Sequence, residues 1–205
     1  MDPIQKLTEI FSEFPGIGPR QAKRFAYFLL TRNNDYLGTL TDSLSTLKKS
    51  MQVCKSCFRF FVKNKGSSEL CAICSDKNRD KKTLMIVSRD VDLETIEKNH
   101  LYLGYYFVLG GGIPILEKNP ENKIRGRELK LTIQSRASEG LSELIIALNL
   151  TPEGENTTDY LIKFLEAETL KYGIKISTLG RGLSTGTELE YSDADTIKNA
   201  LKNRS

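Results

Sequence analysis

The sequence is short of several features on which common enzyme and membrane classes depend. Its one histidine, His100, excludes a metal site built from several histidines, and no serine stands in a nucleophile elbow. The glycines Gly110–Gly112 match neither a phosphate-binding loop nor a dinucleotide fingerprint, so we interpret them as a flexible turn. No run approaches the roughly 20 apolar residues of a membrane span, and the first ten residues do not resemble a signal peptide. We therefore expect a cytoplasmic protein.

Charge is unevenly distributed along the 205 residues, although the net charge of +4 is modest. Residues 54–82 hold eight Lys or Arg and three Asp or Glu, whereas residues 83–205 carry a net negative charge. A basic region followed by an acidic one suits a protein with one nucleic-acid-binding end. A solvated, lysine-rich loop would give the same local excess.

The four cysteines of the chain occur as two C-x2-C pairs, CKSC and CAIC, thirteen residues apart. Each pair presents two thiolates to one metal ion, and two pairs complete a tetrahedral four-sulfur site, which suits Zn²⁺. Four protein ligands leave no open position for water, so the site is expected to be structural. A redox C-x2-C pair and an accidental cluster are the alternatives. The predicted zinc ligands are Cys54, Cys57, Cys71 and Cys74.

The N-terminal region predicts a helix over residues 4–14, a PGIGP hairpin, and a second helix from Pro19 to about Leu30. Glycines in the hairpin let the backbone approach a phosphate, and the start of the second helix offers free N–H donors. The following cations favour sequence-independent, salt-sensitive DNA binding, although an ordinary helical corner remains the alternative. A third helix over residues 40–51 should pack on the first two. The candidate DNA-binding residues are Gly16, Gly18, Arg20, Lys23 and Arg24.

From about residue 83, short apolar segments alternate with helical patterns, which indicates a mostly parallel sheet covered on both faces. The predicted strands are 83–87, 105–109, 143–148 and 174–177. The predicted helices are 92–99, 127–138, 156–172 and 193–202.

Ligand chemistry in such a sheet belongs at the carboxyl ends of the strands. The first strand ends at Ser88, and Asp90 and Asp92 stand at a helix start, where acids are favoured in any case. The third strand leads to Glu153 and Glu155. No complete set of carboxylates for Mg²⁺ is recognisable at this edge. His100 fits a helix C-terminus or plain surface better than a general base.

Four motifs occur in an order that resembles the RecR family of bacterial recombination mediators. They are FPGIGPRQAKR, the CKSC/CAIC pair followed by Arg79-Asp80, TPEGENTTDYL, and GRGLSTGTELEYSDADTIKNAL. The resemblance covers nearly the whole chain. It implies a multi-domain α/β protein with a helix-hairpin-helix domain (1–53), a four-cysteine zinc finger (54–80), a Toprim domain (81–175) and a C-terminal arm (176–205).

The resemblance also implies a role. RecR-like proteins are not known as enzymes; they form ring-like oligomers, bind DNA and, with RecO or in other assemblies RecF, help load recombinase onto SSB-covered single-stranded DNA. Arg20 and Arg24 fall where the family carries basic DNA-contacting residues, and the four cysteines match its zinc ligands one for one. A ring-like tetramer is the implied assembly.

The chain departs from the Toprim pattern at three acidic positions. Toprim enzymes place a glutamate after the first strand and a DxD-type motif after the third; this chain has Ser88, Asn149 and Thr151 there. A site without these carboxylates should hold Mg²⁺ too weakly for strand cleavage. We expect Glu153 and Glu155 to serve instead as an acidic contact for a basic partner such as RecO.

The sequence therefore favours a non-enzymatic DNA-binding scaffold for recombinational DNA repair. The alternative is a Mg²⁺-dependent Toprim enzyme, such as a nuclease, a primase or a topoisomerase component. A third hypothesis is a zinc-ribbon factor that docks on another protein without touching DNA.

Overall fold

The computed structural model describes residues 2–63 and 68–180, together with residues 192, 194 and 196–198. The chain divides into two compact units, residues 1–52 with 62–64 and residues 53–61 with 65–205. None of the helices in these described ranges combines the length and apolarity that a membrane span requires.

The first unit consists of helices α1 (Pro3–Ser12), α2 (Pro19–Leu30) and α3 (Asn34–Ser50). Helix α1 begins where the Asp2 side chain accepts a hydrogen bond from the Ile4 amide, and α2 begins at Pro19, as predicted. Ala22 and Ala26 are fully buried on α2, because small side chains let the two helices approach closely. The predicted helix–hairpin–helix is confirmed.

Helix α3 is longer than predicted and does not bury its apolar residues. It begins six residues before the expected start at residue 40, because the Asn33 side chain accepts a hydrogen bond from the Tyr36 amide at 3.0 Å. No residue of α3 is buried, and Leu44 and Leu47 are 62% and 56% exposed. The part of α3 that carries Leu44 and Leu47 therefore does not pack on the first two helices, whereas Tyr36 near its start meets the ring of Phe28 on α2.

Two short strands, β1 (Met51–Val53) and β2 (Phe60–Val62), pair as a two-stranded sheet. The elements that follow, in chain order, are α4 (Ala72–Ser75), β3 (Asp80–Val87), α5 (Asp90–Lys98), β4 (Gly104–Val108), a 3-10 turn (Pro120–Asn122), α6 (Gly126–Ala137), β5 (Glu143–Ala147), α7 (Pro152–Tyr172) and β6 (Lys175–Thr178).

Strands β3 to β6 form one sheet in the order β4-β3-β5-β6, and every pairing is parallel. Side chains alternate between the two faces of each strand. Leu84 and Ile86 of β3 face a core that includes residues of α6 and α7, and Met85 and Val87 face a second core with Leu93 of α5. The expected parallel sheet with two covered faces is confirmed.

The C-terminal end of the chain stays largely beyond the described part. Most of the helix predicted over residues 193–202, and most of the arm predicted over 176–205, lie outside the described residues.

Candidate metal centre and nucleic-acid interface

The two C-x2-C pairs come together in the second unit. The Sγ atoms of Cys54, Cys57, Cys71 and Cys74 all lie within 4.8 Å of one another. Three of these side chains are buried and Cys74 is half-buried. Zn–S bonds of about 2.3 Å in a tetrahedron place neighbouring sulfurs about 3.8 Å apart. The Cys57–Cys71 sulfur distance of 3.6 Å is close to that value.

Local backbone geometry explains how each pair turns toward the centre. The Phe58 amide donates to the Cys54 carbonyl at 3.0 Å, and Phe58 adopts φ of +62°, which closes a tight turn after Cys57. Cys71 is the N-terminal cap of α4, so this short helix carries Cys74 back beside it. The Cys71 amide donates to the Cys54 sulfur at 3.4 Å, which ties the two pairs together.

The electrostatics of the cluster favour a cation. Hydrogen bonds from Cys57, Cys71 and Cys74 lower the pKa of the Cys54 thiol far below its ordinary value. The same contact with Cys54 raises the pKa of the Cys57 thiol. The donor set is four soft sulfurs within reach of one ion, which fits a structural tetrahedral site for Zn²⁺.

The cysteine module is joined to the edge of the parallel sheet. The Val108 amide of β4 donates to the Cys57 carbonyl at 2.8 Å, and the Phe58 and Phe107 rings lie 5.3 Å apart. Cys54, Cys57 and Cys71 belong to the same core as residues of β3, β4 and α5. The cysteine cluster and the sheet therefore share buried apolar surface.

Two arginines form hydrogen bonds across this junction, and neither was predicted as a site residue. Arg125, just before α6, donates through Nη1 to the carbonyls of Phe58 at 3.1 Å and Val108 at 2.9 Å. Arg136, which is 9% exposed, donates to the Ser56 hydroxyl and stacks 4.0 Å from the Tyr105 ring centre. Their partners are mainly backbone carbonyls and a hydroxyl, which leave no pattern in the sequence.

The hairpin between α1 and α2 leaves its backbone open on the side where an anion would approach. Gly16 adopts φ of +75°, which a side chain would disfavour, and a Cβ atom on Gly16 or Gly18 would meet nothing within 4 Å. Gly18 caps α2 without a side-chain hydrogen bond. The first amides of α2 therefore keep the positive end of the helix available to a phosphate.

The predicted cations are exposed and have no described carboxylate as a partner. Arg20 and Lys23 form no ion pair within the described residues, and Arg24 contacts only the neutral side chain of Gln21 at 3.3 Å. The four-residue spacing from Arg20 to Arg24 continues to Phe28 and Arg32. Phe28 and Arg32 were not predicted as site residues, although the four-residue spacing marks them in the sequence.

At the carboxyl ends of β3 and β5 the structure forms a small polar pocket of about 220 Å³. Ser88 donates to the Gly111 carbonyl at 3.0 Å, and Thr151 caps α7 by accepting from the Gly154 amide at 3.2 Å. Glu153 reaches into the pocket beside Gly112 and is the one carboxylate among the residues that line it. One carboxylate, in a pocket that Arg89 also lines, offers Mg²⁺ little opposing charge, because this ion is usually held by one or two carboxylates together with substrate phosphates.

Two of the remaining candidate acids near this edge accept hydrogen bonds from backbone amides. Asp92 accepts from the Arg89 amide at 2.9 Å as part of a capping box, and Asp90 accepts from the Phe60 amide at 2.7 Å. His100 follows α5 with φ of +52°, and its amide donates to the Glu97 carbonyl, so it terminates the helix as expected. Glu155 lies one turn into α7 on an exposed position.

Models of three protein families match consecutive parts of the chain. The RecR helix-hairpin-helix model matches residues 4–48, the Toprim domain model residues 82–180, and the RecR C-terminal model residues 182–205. The helix-hairpin-helix and Toprim parts that the resemblance implied are thereby confirmed.

Similar curated proteins cover almost the full length of the chain. The recombination protein RecR of Dehalococcoides mccartyi is 36% identical over 202 residues, which are 98% of this chain and 93% of that protein. The protein of the same name from Lacticaseibacillus casei is 35% identical, with 99% and 96% covered. That of Cutibacterium acnes is 34% identical, with 98% and 94% covered. Because these relatives are 34–36% identical over nearly the whole chain, the chain belongs to the RecR family of recombination proteins.

Proposed function

We propose that this protein is a DNA-binding scaffold of recombinational repair that catalyses no reaction of its own. The observation that carries this proposal is the open hairpin, whose helix start has no side-chain cap and is followed by three cations without described acidic partners. Such a surface binds the phosphodiester backbone and does not distinguish bases. The relatives named recombination proteins support the biological setting.

The scaffold acts, in this proposal, together with RecO and in other assemblies RecF, and helps load recombinase onto single-stranded DNA covered by SSB. One hairpin offers few phosphate contacts and should bind DNA weakly. Several hairpins on one assembly would raise the affinity through effective concentration. A ring-like tetramer, as the family resemblance implies, meets that need.

The metal at the cysteine cluster is, in this proposal, a structural Zn²⁺ ion. Four sulfur ligands favour Zn²⁺ over Mg²⁺ or Ca²⁺, which prefer oxygen, and complete a closed coordination shell. The contacts of Cys57 and Phe58 with β4 give the ion a role in stability.

The carboxyl edge of the sheet serves, in this proposal, as a protein contact. Glu153 and Glu155 stand in the first turn of α7, and both are exposed. Two exposed carboxylates attract a basic surface and steer its approach. Glu153→Lys should weaken capture of RecO in a pull-down, whereas Glu166→Lys, farther along the same helix, should not. Equal capture by Glu153→Lys and the parent would refute this contact.

One gel tests the scaffold against the Mg²⁺-dependent enzyme. Zinc-loaded protein is incubated with supercoiled plasmid and Mg²⁺ over a salt series, and half of each sample is treated with protease and detergent. We expect a salt-sensitive shift in the untreated half and unchanged plasmid in the stripped half. Nicked or relaxed plasmid that EDTA abolishes would establish the enzyme.

The Arg20→Ala/Arg24→Ala double variant tests the third hypothesis, that of a zinc factor that docks on protein alone. The scaffold requires that this variant lose most of the mobility shift. An unchanged shift would remove the hairpin from the DNA contact.

A further inference from the structure

Helix α2 carries one continuous row of cations and rings that begins at the hairpin. Arg20, Arg24, Phe28 and Arg32 follow each other at intervals of four residues, so the first three lie along one side of α2 and Arg32 lies two residues beyond its end. Ala22 and Ala26, the buried residues of α2, point to the opposite side. The row therefore faces away from the contact with α1.

The far end of this row is a stack of exposed aromatic and guanidinium groups. The Arg32 guanidinium lies 4.0 Å from the centre of the Phe28 ring and 5.7 Å from that of Tyr36. Phe28 and Tyr36 meet edge to face with centroids 6.3 Å apart. Phe28 remains 41% exposed and Tyr36 44% exposed. This group, Phe28, Arg32 and Tyr36, is called the stacking group below.

A hollow lies between Phe28 of the stacking group and Arg24. It measures about 270 Å³ and is lined by Gln21, Arg24, Phe25 and Phe28. A cation and an aromatic ring thus face the same open space, one turn of helix apart. Arg32 forms no ion pair with a carboxylate among the described residues, so its charge is available to a ligand.

We propose that α2 is a binding track for single-stranded DNA, in which Arg20 and Arg24 hold phosphates and an unstacked base lies against the stacking group. Cationic tracks with aromatic platforms are the usual means of binding single strands without regard to sequence. A duplex hides the faces of its bases, so it can use only the phosphate end. The inference rests on the proposed DNA contact at the hairpin and adds the form of DNA that this surface selects.

The test uses the full-length, zinc-loaded protein and three labelled probes of equal length: an oligo-dT strand, an abasic single strand and a duplex. Fluorescence anisotropy measures each affinity over a salt series. Phe28→Leu keeps an apolar side chain of similar size but removes the ring. We expect it to weaken oligo-dT binding on the order of 5- to 150-fold and to leave the other two probes unchanged.

Two further variants serve as controls for the ring. Tyr27→Leu removes a ring of similar exposure, 50% against 41% for Phe28, one position off the row and should leave all three affinities unchanged. Phe28→Trp supplies a larger ring and should retain oligo-dT binding. Because stacking involves no counterion release, Phe28→Leu should also leave the slope of affinity against salt unchanged.

The outcomes separate this inference from the proposed function. Loss of binding to all three probes in Arg20→Ala/Arg24→Ala, together with unchanged oligo-dT binding in Phe28→Leu, would overturn the stacking group and leave the hairpin contact intact. No loss in the double arginine variant would overturn the hairpin contact itself. A third outcome is that Phe28→Leu loses affinity equally for all three probes and changes the oligomer size measured by light scattering. That result would contradict base stacking and would assign this face to an interface between copies of the chain.

Discussion

Arg79 forms a bidentate ion pair with Glu97, in which its two terminal nitrogens donate to the two carboxylate oxygens at 2.6 Å and 2.9 Å. The same guanidinium donates to the carbonyls of Gly104 and Tyr102 at 2.8 Å and 3.2 Å. Arg79 closes the segment that holds the cysteines, and Glu97 lies near the end of α5. One side chain therefore ties the metal module, α5 and the start of β4 together.

Glu97→Gln should destabilise the protein by about 1–3 kcal/mol at neutral pH, because it leaves a largely buried guanidinium without its counter-charge. The Arg79 hydrogen bonds lower the pKa of Glu97. A lowered pKa in the folded state adds stability above the unfolded pKa of about 4.3, and this stability is lost as pH falls through the folded value. Urea unfolding from pH 7 to 3 should show the difference between parent and variant narrowing with acid.

The matched control for this pair is Glu94→Gln on the same helix. Glu94 is 62% exposed and its contact with Arg59 spans 3.4 Å, so its removal should cost less than about 0.5 kcal/mol. A loss at Glu94 as large as that at Glu97 would contradict a specific role for the Arg79 pair.

Cys57→Ser should abolish stoichiometric zinc and lower the thermal midpoint, since the hydroxyl is a poor replacement for a thiolate ligand. Elemental analysis gives the metal content and calorimetry the midpoint. Lys55→Ala is the control in the same turn: its partner is Glu69, and both side chains are 67% exposed. Full zinc retention by Cys57→Ser would rule out the four-sulfur site.

Arg125→Met should keep the zinc but release it faster to a chelator. The guanidinium holds the carbonyls of Phe58 and Val108, and its loss should cost about 2 kcal/mol and loosen the module from β4. A colorimetric chelator assay measures the release rate, with Arg127→Met, an exposed neighbour, as control. Identical release rates in both variants would contradict the junction described at Arg125.

Restoring the three acids, Ser88→Glu with Asn149→Asp and Thr151→Asp, should create binding of Mn²⁺ that the parent lacks. The changes add carboxylates around a pocket that already holds Glu153, and an aspartate at position 151 still caps α7. Titration calorimetry measures the binding, and Thr151→Asp alone is the control. Equally tight Mn²⁺ binding by the parent would mean that its polar pocket suffices.

The sequence predicted those features that depend on local patterns. Pro19 marked the start of α2 because its fixed φ suits a first helical turn, and the C-x2-C spacing brought four sulfurs together as expected. The start of α3 was missed because Asn33 and its cap lie in a polar stretch without apolar periodicity. Strand β3 likewise begins at Asp80, three residues before its apolar part.

Contacts between residues far apart in the chain could not be predicted from the sequence, for a physical reason. The contact between the Cys57 carbonyl and the Val108 amide joins two backbone groups that every residue except proline possesses. Arg125 and Arg136 likewise donate hydrogen bonds to Phe58 and Ser56, which lie 67 and 80 positions earlier in the chain. No regular spacing in the sequence indicates these pairs. Leu44 and Leu47 have the pattern of a packed helix, but the single chain leaves them exposed.

The cysteine module covers part of the exposed edge of strand β4. Among the described strands, β4 lies at the outer margin of the parallel sheet, and such a margin invites pairing with foreign chains. At one end of β4 the Val108 amide donates a hydrogen bond to the Cys57 carbonyl. At the other end the Gly104 carbonyl accepts a hydrogen bond from the Arg79 side chain. We expect that loss of a metal ion from the cysteine cluster would loosen the contact at Val108 and open this margin of the sheet to pairing with another chain.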